Sequence, residues 1–173
     1  FENVRLDGAN LDNIDFSKSK AVAPHLMKQE ESTPLPPNLQ ALLKKHFLWV
    51  ETNGLKGERA DLSGMDLSNM DLSGCGAMME GVNLSRSNLR NAQLKGAILT
   101  AVDLKGPNGE PLGKQWPANL SAANFTGANL EGAKMSDANL IDANFTGARL
   151  KDAIFDGADL EDAKFDSEHK ASA

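Results

Sequence analysis

Ala118-Asn119-Leu120-Ser121-Ala122, Ala123-Asn124-Phe125-Thr126-Gly127, Ala128-Asn129-Leu130-Glu131-Gly132: the chain repeats itself every five residues, and this stretch decides the fold. The large apolar residues Leu120, Phe125, Leu130, Met135, Leu140, Phe145, Leu150, Phe155, Leu160 and Phe165 follow at a spacing of five without a miss. Ala stands two places before each of them, and the position between is mostly Asn or Asp. A helix would scatter such residues around its axis in steps of about 140°. A straight strand would send successive ones to opposite faces. The pattern needs a chain that turns a corner every five residues. Four corners close a square, so one coil takes about twenty residues, with each Leu or Phe pointing inward from the middle of a side. The Ala two places earlier points inward as well, where little room is left, and the polar residues face out.

Outward from this stretch the same signal returns in shifted registers. Leu62, Leu67 and Leu72 form one group, Leu84, Leu89, Leu94, Leu99 and Leu104 another, and Phe1, Leu6, Leu11 and Phe16 a short third at the start. The repeats Ala-(Asp/Asn)-Leu-x-x resemble the signature of the pentapeptide-repeat family. That resemblance implies an all-β fold, a right-handed quadrilateral β-helix, here with one α-helical insertion or cap.

Three breaks divide the pattern. Residues 17–58 hold a Lys/Ser-rich stretch, a loop with Pro34, Pro36 and Pro37, then Leu39, Leu42, Leu43, Phe47 and Val50 at helical spacing. Asn38 reads as the N-cap and Asn53-Gly54 as the stop, giving a helix over about 38–52. It reads as a cap on an open solenoid end or as a docking helix for a partner, with His46 and Trp49 on one face as packing residues. The turn from His46 to Trp49 followed by Gly54 to Leu62 is similar to leaders of other bacterial arrays. The second break lies at Cys75 to Gly81, where Ala77 takes the place of a Leu and a neighbouring Met or Cys75 fills the missing volume. The third is residues 105–117, with three Gly and three Pro. This reads as a loop that leaves the square path, and loops on rigid scaffolds concentrate binding determinants. Leu112 and Trp116 are its candidate anchors, for a partner or for the wall itself. The organisation is therefore a short repeat run at 1–16, loop plus helix at 17–58, the main β-helix at 59–166 with its projecting loop, and a polar tail at 167–173.

The chemistry is sparse. The chain has 173 residues, three His, one Cys and no Tyr. One cysteine allows no internal disulfide and no thiolate metal cluster. No nucleophile elbow, phosphate loop, His-Glu-x-x-His or EF-hand loop occurs, so the reading is a non-enzyme with no cofactor, no metal and no catalytic residues. No apolar run reaches the length of a membrane span. The chain opens on Phe1 rather than Met, as a fragment or a processed product would, and a cytoplasmic location is the expectation.

The formal net charge is −6, which disfavours direct binding to nucleic acid. Residues 118–173 hold ten acidic and five basic side chains, against fourteen and thirteen in residues 1–117. A twenty-residue coil assigns Asp142, Asp159, Glu161 and Asp162 to the side of Leu120, Leu140 and Leu160. Asp137 and Asp156 fall on the adjoining side of Met135 and Phe155. One edge is thereby acidic, either for solubility on an open solenoid or for a basic partner. Two functions fit. One is an interaction or scaffold module that presents flat walls and a loop to a protein partner, with association through solenoid ends also open. The other, implied by the resemblance, is a DNA mimic that binds a type II topoisomerase and modulates gyrase or protects it from quinolones. A secreted bacterial effector domain is a third reading.

Overall fold

The computed structural model describes residues 35–73 and 79–167. The 1–16 repeat run, most of the loop ahead of the helix, Cys75, Ala77 and the tail beyond Ser167 lie outside the described residues.

From Asp61 onward the chain climbs in coils joined by parallel bridges. Four ladders run up the column. The first side links Asp61, Asn83, Asn119, Asn139 and Asp159, and the second links Asp66, Asn88, Asn124, Asn144 and Lys164. The third links Asp71, Gln93, Asn129 and Arg149, and the fourth Ile98, Lys134 and Ile154. Each side contributes one bridging residue per coil, so the walls are stacks of isolated bridges, not long strands. Beyond Asn119 the partners are twenty residues apart, as the four-cornered reading requires.

The pentapeptide closes its own hydrogen-bond account. On the side built by Leu120, the Leu120 amide donates to the Asn139 carbonyl of the next coil, and Ala122 to that of Ile141. The Ala123 amide bonds back to the Leu120 carbonyl, which makes the corner a β-turn, and Asn124 donates to Ser87 of the preceding coil. The remaining amide, Ser121, is taken by the Asn119 side chain at 3.2 Å. All five backbone donors thus have an acceptor. This explains the Asn or Asp that precedes most of the inward residues. It supplies the Asx acceptor for an amide that no neighbouring coil reaches, and the same bond recurs from Ser63 to Asp61 and from Thr126 to Asn124. The fifth residue of the unit is held in the left-handed region, as at Gly64 (φ 65), Asn69 (φ 59), Asp142 (φ 59) and Asp162 (φ 55). Positive φ at this place, in a turn closed by an i to i+3 bond, is the type II arrangement, which selects Gly, Asn and Asp.

Inside, Leu84, Leu89, Leu94 and Leu99 fill one coil, and Leu120, Phe125, Leu130 and Met135 the next, all fully buried. The Ala residues two places earlier are buried with them. Ser87 stands at one such place and satisfies its hydroxyl on the Leu84 carbonyl at 2.7 Å. Phe125, Phe145 and Phe165 stack on the second side, with ring centroids 5.0 Å apart at both steps and planes within 3° and 11° of parallel.

At the second break Met79 is fully buried, and the expectation for Ala77 falls outside the described residues. Bridges across this break span twenty-two residues, so the coil has taken up two extra and recovered its register at Met79. Leu104 is not a repeat centre, because the chain leaves the column after Leu99. The segment read as a loop is an antiparallel hairpin, with β1 at Val102–Lys105 and β2 at Pro111–Trp116. Its first strand begins inside the preceding repeat, and after the hairpin the path resumes at Asn119, bridged to Asn83.

The helix, α1, runs Pro37–Glu51. Asn38 is not its N-cap. Pro36 holds that position with no side-chain cap bond, and Pro37 opens the first turn, where a missing N–H costs nothing. At the other end Asn53 adopts φ 51, its amide bonding to Val50 and that of Gly54 to Trp49, a Schellman stop. Leu39 and Leu43 are buried in the same core as Leu62, Leu67 and Leu72, so α1 is packed on the first coil.

The aromatic stack generates an ordering. Phe145 has a stacked ring above and below and an edge contact to Phe155, whereas Phe165 is partly exposed at the last described coil. Phe145→Ala is expected to cost roughly 3–5 kcal/mol and Phe165→Ala clearly less, with Leu140→Ala as the aliphatic comparison. Thermal melts rank the three; equal losses at Phe145 and Phe165 would contradict the stack.

Candidate interaction surfaces

Two surfaces remain after the core is assigned: the hairpin and the acidic edge. The hairpin pairs Val102 with Trp116 and Asp103 with Gln115, then slips, so that Lys105 faces Pro111. The two extra residues on β2 bulge around Gly113 (φ 64), and Leu112 beside it is 49% exposed. Every residue of β2 is exposed. At the tip, the Asn108 amide donates to the Glu110 carboxylate at 3.0 Å.

The base of the hairpin is tied down. Trp116 is 42% exposed, yet its ring meets Trp49 edge-on at 6.1 Å, and the Arg59 guanidinium lies over it at 5.0 Å. Arg59 donates to the carbonyls of Gly81, Val82 (3.4 Å) and Pro117 (3.2 Å), bridging the segment before the first coil, the second break and the hairpin's return. Burial lowers the Arg59 pKa from its usual value, and the neighbouring Asp61 acts against that. The Lys105 amide bonds to the Asn53 carbonyl at 3.3 Å. Helix and hairpin are therefore one attachment on the column. Of the two candidate anchors, Trp116 is half engaged with the wall and Leu112 points free. Sequence reasoning assigned no role to Arg59; its signal was a single Arg directly ahead of the first Ala-Asp-Leu unit.

The six acidic candidates, Asp137, Asp142, Asp156, Asp159, Glu161 and Asp162, are all exposed. The structure brings them together on the first side, the end of the fourth and the corners between. The Asp137 amide bonds to the Asp156 carbonyl and that of Asp142 to Glu161, so these pairs lie in successive coils. None of the six forms an ion pair among the described residues, unlike Glu131 on the third side, which is flanked by Arg149 and Lys95. Asp137, Asp142 and Asp162 occupy left-handed corners, which gives those three a conformational reason independent of charge.

Farther down the first and second sides, Asp61 and Asp66 accept bonds from Ser63 and Ser68, which hold their carboxyls below the usual range. Among the described residues, no group of three His, Cys, Asp or Glu is placed to hold a metal, and no helix is long and apolar enough to cross a membrane.

With this geometry in view, the Pentapeptide repeats family matches in eight copies, over residues 75–106, 118–157 and 143–167. Solved structures are similar too. HetL, a pentapeptide repeat protein involved in heterocyst differentiation regulation in the cyanobacterium Nostoc, is 29% identical, with a TM-score of 0.38 over 64% of this chain. The match spans 42% of HetL, less than half its length. Rfr23 from the cyanobacterium Cyanothece 51142 is 27% identical over 65% of this chain and 69% of its own, with a TM-score of 0.20. QnrB1, a plasmid-mediated fluoroquinolone resistance protein, is 17% identical over 65% of this chain and 67% of its own, with a TM-score of 0.28. No curated protein matches the chain.

Two predictions separate packing from surface. Trp116→Ala is expected to destabilise the attachment by about 1–2 kcal/mol, through the lost ring contact and cation–π pair. Leu112→Ala should stay within about 0.5 kcal/mol. Local melting followed by helix signal reads both. At the corners, Asp142→Asn removes a charge and keeps a left-handed former, so stability should hold. Asp142→Val puts a β-branched residue at φ 59 and should cost about 1–3 kcal/mol.

Proposed function

The repeats of this chain belong to the pentapeptide-repeat family, and we propose that the protein is a non-enzymatic interaction module, a right-handed quadrilateral β-helix that offers a wall and a projecting hairpin to a protein partner. The observation that carries this reading is the hairpin. It leaves the column, exposes the whole of β2, and turns Leu112 outward on a base fastened by Trp116 and Arg59. A rigid base lowers the ordering cost of binding at the tip. The walls, by contrast, consist of repeated turn residues whose polar groups are spent on the backbone.

The unpaired carboxylates favour a second reading, in which the acidic edge engages a basic protein surface in the manner of a duplex. At about 4.8 Å per coil, the four and a half described coils extend about 22 Å, short for such a mimic. The partner then would be a DNA-handling enzyme such as a type II topoisomerase.

The readings make different demands. With affinity capture on the wild-type chain, Leu112→Asp should abolish retention of the partner under the first, and the triple variant Asp142→Asn, Asp159→Asn, Asp162→Asn should leave it intact. A gyrase supercoiling assay should be unaffected by the wild type. Inhibition that the triple variant loses and Leu112→Asp keeps would replace the first reading with the second.

A further inference from the structure

The attachment is held to the column through a histidine. His46 of α1 is fully buried. Its Nδ1 accepts the Ala60 amide at 3.1 Å, so the neutral ring carries its proton on Nε2. Among the described residues Nε2 has no hydrogen-bond partner, and the Glu80 backbone is the one neighbouring group that favours the charged ring. From its own helix the ring receives Trp49, stacked at 5.6 Å and 15°. From the segment before the first coil it faces Arg59, and from the second break it faces Glu80 through the carbonyl. The Glu80 carboxyl is itself pushed up by burial, relieved in part by Thr100 and reinforced by Glu51 at the end of α1.

A proton added to this ring goes to Nδ1, where it points at the Ala60 N–H, donor against donor. The charge would sit without water beside Arg59. Burial first and Arg59 second hold the His46 pKa at about 4, below 6.5. Release of α1 removes every one of these penalties at once.

We propose that His46 is an acid-operated latch, and that mild acidification frees α1 together with the β1–β2 hairpin while the repeat coils stay folded. The hairpin follows the helix because Trp116 rests on Trp49 and Lys105 is bonded to Asn53. The docked form binds no proton at His46 until the pH nears 4, while the released form binds one near 6.5. Docking is therefore complete above the upper limit and weakens as the pH falls between the two, by up to about tenfold per pH unit. Glu80 acts the other way, since its raised pKa lets the docked form take a proton first, and it offsets part of the loss near the bottom of the window. The coils are spared, because the depressed carboxyls of Asp61 and Asp66 lose their bonds only below the ordinary carboxylate range.

The chain provides its own reporter. It has two Trp and no Tyr, and both indoles, Trp49 and Trp116, belong to the latch. Titration of the full chain from pH 7.5 to 4.0 should shift tryptophan emission to the red, with a midpoint between pH 4 and 6.5. His46→Gln offers the Ala60 amide a carbonyl acceptor that does not titrate, and its emission should stay flat. Should that variant not fold, hydrogen exchange on the wild type decides. Corrected for intrinsic rates, residues 37–51 should lose protection at pH 4.8 while residues 118–165 keep theirs. Unchanged wild-type emission down to pH 4.0, the same transition in His46→Gln, or joint loss of helix and coil protection would each overturn the proposal.

Discussion

The structure depends on one constraint: the backbone must turn about ninety degrees every five residues without leaving an amide unpaired. A type II corner meets it, at the cost of a left-handed residue, and from Gly64 to Asp162 that residue is mostly Gly, Asn or Asp, with Arg86 and Ala122 as exceptions. The corner leaves one amide beyond reach of the neighbouring coils, and where Asn or Asp precedes the inward residue its side chain accepts from that amide. The short side leaves room for one large inward group, so the next inward place goes to Ala. Each feature of the repeat follows from the corner, and small departures such as Ser87 are tolerated where a hydroxyl has a carbonyl within reach.

A column built this way is complete along its walls and incomplete at its ends, where the apolar interior and the ladder edges would meet water. At the first coil, α1 covers the interior with Leu39 and Leu43. The covering is joined by a small set of contacts: His46 on Ala60, Trp49 between His46 and Trp116, and Arg59 across three carbonyls. Such an interface is dense but narrow. It contrasts with the coils, where every side repeats the same bonds, and this difference in redundancy is what lets one part open while the other holds.

The same economy shapes the chemistry. Most polar groups on the walls serve the turn. Carboxylates with a turn role and carboxylates with a surface role therefore look alike, and the structure tells them apart: Asp137, Asp142 and Asp162 stand at corners, Asp159 accepts the Glu161 amide, and Asp156 and Glu161 lie along the sides. The surface left with no structural duty is the outer part of the hairpin, which is why Leu112 stands out while Trp116 is shared between wall and solvent.

By itself the sequence determined the coil. A spacing of five from Leu120 to Phe165 has one geometric solution, so the sides, the inward residues and the Phe125, Phe145, Phe165 stack were legible, because each depends only on local corners repeated in register. The acidic edge was legible for the same reason. What lay between repeats was decided by tertiary contacts. Met79 is buried five places before Leu84, because the column above sets where the register resumes. Leu104 leaves the core because β1 pairs with β2 across nonlocal contacts, and its five-residue spacing gave no warning. The helix opens at Pro37 and not at Asn38, because Leu39 and Leu43 must meet the first coil. The latch of His46, Trp49, Arg59 and Trp116 was invisible for a similar reason. It joins residues from the helix, the lead-in to the first coil and the far strand of a hairpin, and only the closed coil brings these three together.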